Sequence, residues 1–297
     1  MKPSPFTYHR PEGLDEALAV LADVGADGKV LAGGQSLLPV LSMRLAAPAH
    51  LVDVNRLGEL AYVHADGDGV RVGALARHAA VERDEAAARV QPLLRQGLRL
   101  VAHPTIRNRG TTVGSLAHAD PSGEMTAVLA VTGGTVTLAS RGGRREVAAA
   151  DFFLGPLESA VGPGELAVEA FFPAAPPGSG SAFVEVARRH GDYAMCGVAA
   201  VVTPAGERVH ARLAYISMGP TPPVSKIDMS VPAHPESPRS WGDAAGGAVE
   251  SLEPEGDIHA TADYRRHLAR VLTARALAQA WSASGAGPSQ RTAGAAA

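Results

Sequence analysis

The chain has 297 residues, 46% hydrophobic and 19% charged, with a formal net charge of −3. That length leaves room for two domains with buried cores. The charge balance lacks the basic footprint of a nucleic-acid binder, and no apolar run reaches the ~20 residues of a membrane-spanning helix.

The N-terminal Met1-Lys2-Pro3-Ser4-Pro5 lacks the apolar core of a signal peptide, so a cytoplasmic protein is expected. From Gly13, Leu14, Leu18 and Leu21 form one apolar stripe and predict a helix. Residues 29–32 predict a strand running into Gly33-Gly34. Residues 50–55 and 70–74 read as further strands, and 81–101 as mostly helix ended by Pro104. Residues 105–124 are polar and Gly-containing and predict an ordered loop, with a helix over 125–131. Residues 133–147 alternate around Gly142-Gly143 and predict a hairpin, followed by a strand at 165–172.

Ala174-Ala175-Pro176-Pro177-Gly178-Ser179-Gly180-Ser181 is the clearest linker, so the domains are placed at 1–175 and 181–283. Strands are predicted at 182–187, 197–202 and 209–217, and a loop-like stretch at 229–257. Residues 264–281 predict a helix with Leu268, Val271, Leu272 and Leu277 near one face and Arg265, Arg266 and Arg270 flanking. Residues 284–297 predict a disordered tail.

Two stretches carry chemistry. In Leu31-Ala32-Gly33-Gly34-Gln35-Ser36-Leu37, glycines allow positive φ and close approach to a ligand, and successive N–H groups can cradle an anion. By itself the turn also fits an ordinary strand-to-loop connection. The second stretch runs from Ile106 to Glu124. It sets Thr111, Thr112, Val113, Gly114 and Ser115 ahead of Asp120 and Glu124. Hydroxyls and N–H groups suit a diphosphate, and a carboxylate suits ribose hydroxyls. A Gly-rich surface loop is the plainer alternative. Cys196, the single cysteine, allows no internal disulfide and no self-contained iron–sulfur cluster, which takes about four thiolates. The eleven histidines show no zinc-ligand spacing, so no metal site is expected.

Four motifs in order extend this reading: Ala32-Gly33-Gly34-Gln35-Ser36; Arg107-Asn108-Arg109-Gly110-Thr111 through Asp120-Pro121; Asp151-Phe152-Phe153-Leu154-Gly155-Pro156; and Ala187-Arg188-Arg189-His190-Gly191-Asp192-Tyr193-Ala194. Together they resemble the FAD-binding medium subunit of the carbon monoxide dehydrogenase and xanthine dehydrogenase family of molybdenum hydroxylases. The resemblance implies an α+β fold. Its FAD-binding domain, of the molybdopterin dehydrogenase flavoprotein (PCMH-like) type, has two subdomains split near residues 55–60. A C-terminal domain of antiparallel sheet and helices follows. It implies FAD as cofactor, and as partners a [2Fe-2S] small subunit and a molybdopterin large subunit. It also implies electron transfer from that cluster through FAD to an external acceptor. Carried over by residue, 31–37 and 111–115 match the diphosphate turns and Glu124 the ribose side. Leu166 lies near a flavin-contacting strand, and Tyr193 lies near the isoalloxazine ring. The family's second turn reads Thr-x-Gly-Gly-Ser/Asn, and Val113 stands at its first Gly. A β-branched residue resists positive φ, so either the backbone there is extended or the loop is rearranged. A stand-alone FAD-dependent oxidase or cyclase reusing the fold is the alternative function, and Val113 is its one sequence motive.

Overall fold

The structure is a computed structural model and describes residues 2–286. Its first sheet is parallel. Strands β1 (Thr7–His9), β2 (Gly28–Leu31) and β3 (His50–Asp53) lie in the order β1-β3-β2. Parallel neighbours need crossovers. Helix α1 (Leu14–Val24) connects β1 to β2, and α2 (Leu37–Ser42) lies between β2 and β3. Helix α1 forms where the leucine stripe predicts it and buries Ala17, Leu18 and Leu21. Strand β1 has no sequence signal because its three side chains are largely exposed.

The second sheet is antiparallel. It contains β4 (Val63–Ala65), β5 (Gly69–Gly73), β6 (Thr135–Ser140), β7 (Gly143–Ala148) and β10 (Leu166–Pro173), in the order β4-β5-β10-β6-β7. Strand β10 is therefore central although it comes last. Between β7 and β10 lie α9 (Ala149–Phe152) and the small hairpin of β8 (Phe153–Gly155) and β9 (Glu158–Ser159).

Between β5 and β6 the chain makes a long helical excursion: α3 (His78–Arg83), α4 (Glu85–Val90), α5 (Pro92–Leu98), α6 (Pro104–Arg107), α7 (Thr112–His118) and α8 (Glu124–Thr132). The expected helix over 81–101 is thus broken into pieces. Asp84 is extended and its side chain caps α4 by accepting Ala87 N–H at 2.8 Å, while Pro92 starts α5. The expected loop over 105–124 is corrected, since it holds α6 and α7. The reason is local: Pro104 opens α6, and the Thr111 hydroxyl caps α7 at Gly114 N–H.

The third sheet is an antiparallel meander of β11 (Gly180–Ala187), β12 (Ala194–Ala205), β13 (Arg208–Ile216) and β14 (Val224–Ser230). Helix α11 (Ala262–Ala283) packs across β11 and β12. The loop-like expectation for 229–257 is also corrected. It contains the end of β14 and α10 (Gly242–Val249), whose Ala245 and Val249 pack beside buried Trp241. Small residues gave α10 no apolar stripe to read.

Helix α8 is buried on all sides from Met125 to Val131. Phe183, Ala199, Ala214 and Ile216 of the third sheet share its core cluster, together with the second-sheet residues. A helix apolar all round is one enclosed by other elements, and α8 is the seam between the two sheets. The linker is tied at both ends: Ala174 N–H donates to Asp68 O, and Gly285 N–H to Gly178 O. Ser284 is buried, so the start of the expected tail is packed, and 287–297 lie outside the described residues. Among the described residues no helix is long and apolar enough to cross a membrane.

Candidate functional site

The first glycine turn closes onto the second. A Cβ on Gly33 would stand 2.5 Å from Arg109 O and 2.7 Å from Gly110 Cα, so the two backbones touch only because residue 33 has no side chain. Gly34 has φ +73° and Ser36 is right-handed at φ −93°, ψ −44°. This alternation turns carbonyls one way and N–H groups the other. Gly33 O accepts Gln35 Nε2, Gly34 O accepts Leu38 N–H, and Ser36 O accepts Val40 N–H. The N–H groups of Gly33, Gly34, Gln35, Ser36 and Leu37 donate to no acceptor among the described residues. Five successive free donors at a glycine turn form a cradle for an anion such as a diphosphate, and the residues present fit that group. Leu31 ends β2 opposite Asp53, Ala32 is half-buried, and Leu37 opens α2.

The second turn is built differently. Thr111 is buried with its hydroxyl on Gly114 N–H at 3.2 Å. Thr112 is fully buried, its Oγ1 3.2 Å from Nδ1 of His78. Burial, and secondarily the Arg107 charge, pulls His78 down to about 4, so its ring is neutral near pH 7. Both hydroxyls make contacts inside the protein. The Val113 side chain is likewise in the core, and residue 113 lies inside α7 with no positive φ. Its place needs no glycine backbone, which resolves the departure at this position. Val113 N–H and the half-buried Ser115 side chain are what the turn still offers.

A polar staple joins the turns. Asn55 Nδ2 donates to Ala32 O at 2.8 Å, Arg77 Nη2 to Asn55 Oδ1 at 2.7 Å, and Arg77 Nη1 to Arg109 O at 2.6 Å. Behind it, His78 N–H donates to Gly110 O at 2.9 Å. The sequence reading missed Asn55, Arg77 and His78. Only a polar residue just beyond β3 and a basic pair at the start of α3 marked them.

The acidic end follows α7, which stops at Ala119 with φ +53°. Asp120 Oδ1 accepts Ser122 N–H at 2.8 Å, and Glu124 opens α8. Burial lifts Glu124 to about 7, with Asp120 adding to it. Glu185 of β11, also missed by sequence, is lifted to about 8 by burial and then by Glu124, and its Oε2 is a buried atom without a partner. Tyr193 lies at the same place from the C-terminal side. Its residue surface is 70% exposed, yet packing near the phenol, then Asp120 and Glu124, raise its pKa. Leu166 opens β10 opposite Ala139 and is buried in the core. Cys196 is buried and its thiol is pushed to about 12 by burial, which makes it unreactive. His103 and His190 stand edge to face at 5.9 Å. Among the described residues no group of three His, Cys, Asp or Glu could hold a metal.

Comparison with known proteins gives the context for this geometry. Residues 4–175 match the family model for the FAD binding domain in molybdopterin dehydrogenase, and 181–280 that for the CO dehydrogenase flavoprotein C-terminal domain. The chain is 38% identical to the 6-hydroxypseudooxynicotine dehydrogenase complex subunit alpha of Paenarthrobacter nicotinovorans, covering 94% of this chain and 96% of that one. It is 36% identical to the carbon monoxide dehydrogenase medium chain of Hydrogenophaga pseudoflava, covering 95% and 99%. Quinoline 2-oxidoreductase from Pseudomonas putida 86 has a chain that superposes with TM-score 0.87 at 37% identity, covering 96% and 99%. The chain therefore belongs to the FAD-binding medium subunits of the molybdenum hydroxylases, the carbon monoxide dehydrogenase and xanthine dehydrogenase family of oxidoreductases, whose cofactor is FAD.

Proposed function

We propose that this chain is the FAD-binding electron-transfer subunit of a molybdenum hydroxylase. In this reading it passes electrons from a [2Fe-2S] small subunit, itself fed by a molybdopterin large subunit, to an external acceptor. The observation that carries the reading is the cradle of five free N–H groups at residues 33–37, closed against Gly110. The single cysteine supports it too, because the iron–sulfur cluster must then belong to another chain.

The geometry supports these roles. The cradle holds the diphosphate, with Val113 N–H and Ser115 on the facing turn. Asp120 and Glu124 receive ribose hydroxyls; a carboxyl held near neutral by burial can donate as well as accept. Tyr193 and the strand begun by Leu166 lie toward the ring. When bound, FAD supplies the redox chemistry, and the protein supplies binding, orientation and electrostatics. We read the chain as two domains, 1–175 and 181–283, and as cytoplasmic. A stand-alone oxidase or cyclase drew on Val113, and the helical backbone there removes that motive.

The purified chain is expected to be yellow, to release FAD on denaturation, and to co-purify with an iron–sulfur and a molybdopterin chain. A colourless preparation that does not take up added FAD overturns the reading.

A further inference from the structure

Ser217 follows the last residue of β13 and has φ +60°. A non-glycine residue there is strained, and such strain persists only where the surroundings over-determine it. All the polar groups of Ser217 are engaged. Its N–H donates to Pro121 O at 2.8 Å. Its Oγ lies 2.6 Å from Ala194 O and 2.8 Å from Ser122 Oγ. A carbonyl only accepts, so the Ser217 hydroxyl hydrogen serves Ala194, and Ser122 donates its own to Ser217. The Ser217 carbonyl accepts Arg265 Nη1 at 3.2 Å.

Pro121 and Ser122 belong to the loop that carries Asp120 and Glu124, and Ala194 adjoins Tyr193. One residue just past β13 thus fastens the acid-bearing loop of the N-terminal part to the start of β12, next to Tyr193. Arg265 braces it from behind. Expected on the flank of α11, it is instead 6% exposed, donates to Met195 O at 2.6 Å and pairs with Asp257 at 2.6 Å.

We propose that Ser217 is a positioning residue of the flavin site, a clamp that fixes Asp120 and Tyr193 relative to one another and so sets the wall presented to bound FAD. This rests on the reading of Asp120 and Tyr193 as cofactor-facing residues.

Ser217→Gly keeps the N–H donor to Pro121 and removes the hydroxymethyl group without adding backbone strain. In the full chain titrated with FAD, affinity falls roughly tenfold, because the wall it binds against is no longer held in place. The visible circular dichroism of the bound flavin also changes shape, which loss of general stability would not produce. Ser122→Ala gives the same spectral change, and the double variant adds little to either. Wild-type affinity and dichroism in Ser217→Gly overturn the clamp. If Ser217→Gly does not fold, an unchanged dichroism in Ser122→Ala overturns it. Tyr193→Ala separates the two levels. If it perturbs the flavin spectrum while both serine variants do not, only the clamp fails. If it leaves the spectrum unchanged, the reading of the site fails and takes the clamp with it.

Discussion

The two glycine turns have the same kind of sequence and opposite construction. In residues 32–36 the backbone does the work: one left-handed glycine, carbonyls turned inward and N–H groups left open. In residues 111–115 the Thr111 and Thr112 hydroxyls are directed inward, to cap α7 and to bond His78, and the turn serves as a rigid surface for its neighbour. The contrast teaches that a run of Thr, Gly and Ser can be a ligand cradle or a helix start. Which one it is depends on where its donors find acceptors.

Gly33→Val breaks the comparison most severely. Its side chain meets backbone at Arg109 and Gly110, which cannot yield. We expect FAD uptake to be abolished while the third sheet stays folded, read by flavin absorbance and limited proteolysis. Normal flavin content would falsify the placement of the cradle. Val113→Gly should cost about 3 kcal/mol of stability, combining a cavity with a helical glycine. Because no positive φ is required at 113, denaturant unfolding should show that loss while the visible spectrum of bound flavin stays the same. Gly34→Ala should cost about 1–2 kcal/mol for a side chain in the left-handed region. Its flavin affinity should fall, and an unchanged titration would show that the turn is not held at φ +73° when loaded. Thr111→Ala removes the cap of α7 and should cost about 1 kcal/mol. A larger drop in flavin affinity than in stability would mean that the second turn contacts the ligand more directly than its buried hydroxyls suggest.

A further contrast is in pH. Burial raises Glu124 and Glu185 above their ordinary 4.5, to about 7 and about 8, so the folded state binds more protons than the unfolded one across that window. Their contribution to stability is complete below 4.5 and is lost as pH rises through about 7 and then about 8. Glu185→Gln should flatten this slope in the ligand-free chain, followed by the denaturant midpoint across pH. A slope identical to wild type would mean that Glu185 is solvated.

Local signals were legible wherever burial is one-sided. The leucines of α1, the apolar run into Gly33, and the Gly142-Gly143 hairpin all formed as their patterns require. The Pro/Gly/Ser stretch was read one strand start too far, since Gly180 and Ser181 open β11. Elements without such a signal were missed: three-residue β1, and α10 with its glycines and alanines. Helix α7 was hidden because its cap and its ligand-like composition use the same Thr and Ser residues. At the site, both turns and the acids are legible as local motifs, but which hydroxyls point inward is not. Asn55, Arg77, Ser217 and Glu185 act through contacts with distant segments, and no local spacing encodes those.

The position of β10 has a consequence for how the molecule is made. It pairs with β5 on one side and β6 on the other, so the second sheet lacks its middle until residues 166–173 exist. On a ribosome the parallel unit of β1, β2 and β3 can close early, with the cradle at its edge. The second turn gains its support only after β10 has emerged, because contacts of large sequence separation are slow to form. Flavin capture is then expected to be a late event in biogenesis, and a chain cut short before Leu166 should present the cradle without the surface that Gly33 rests on.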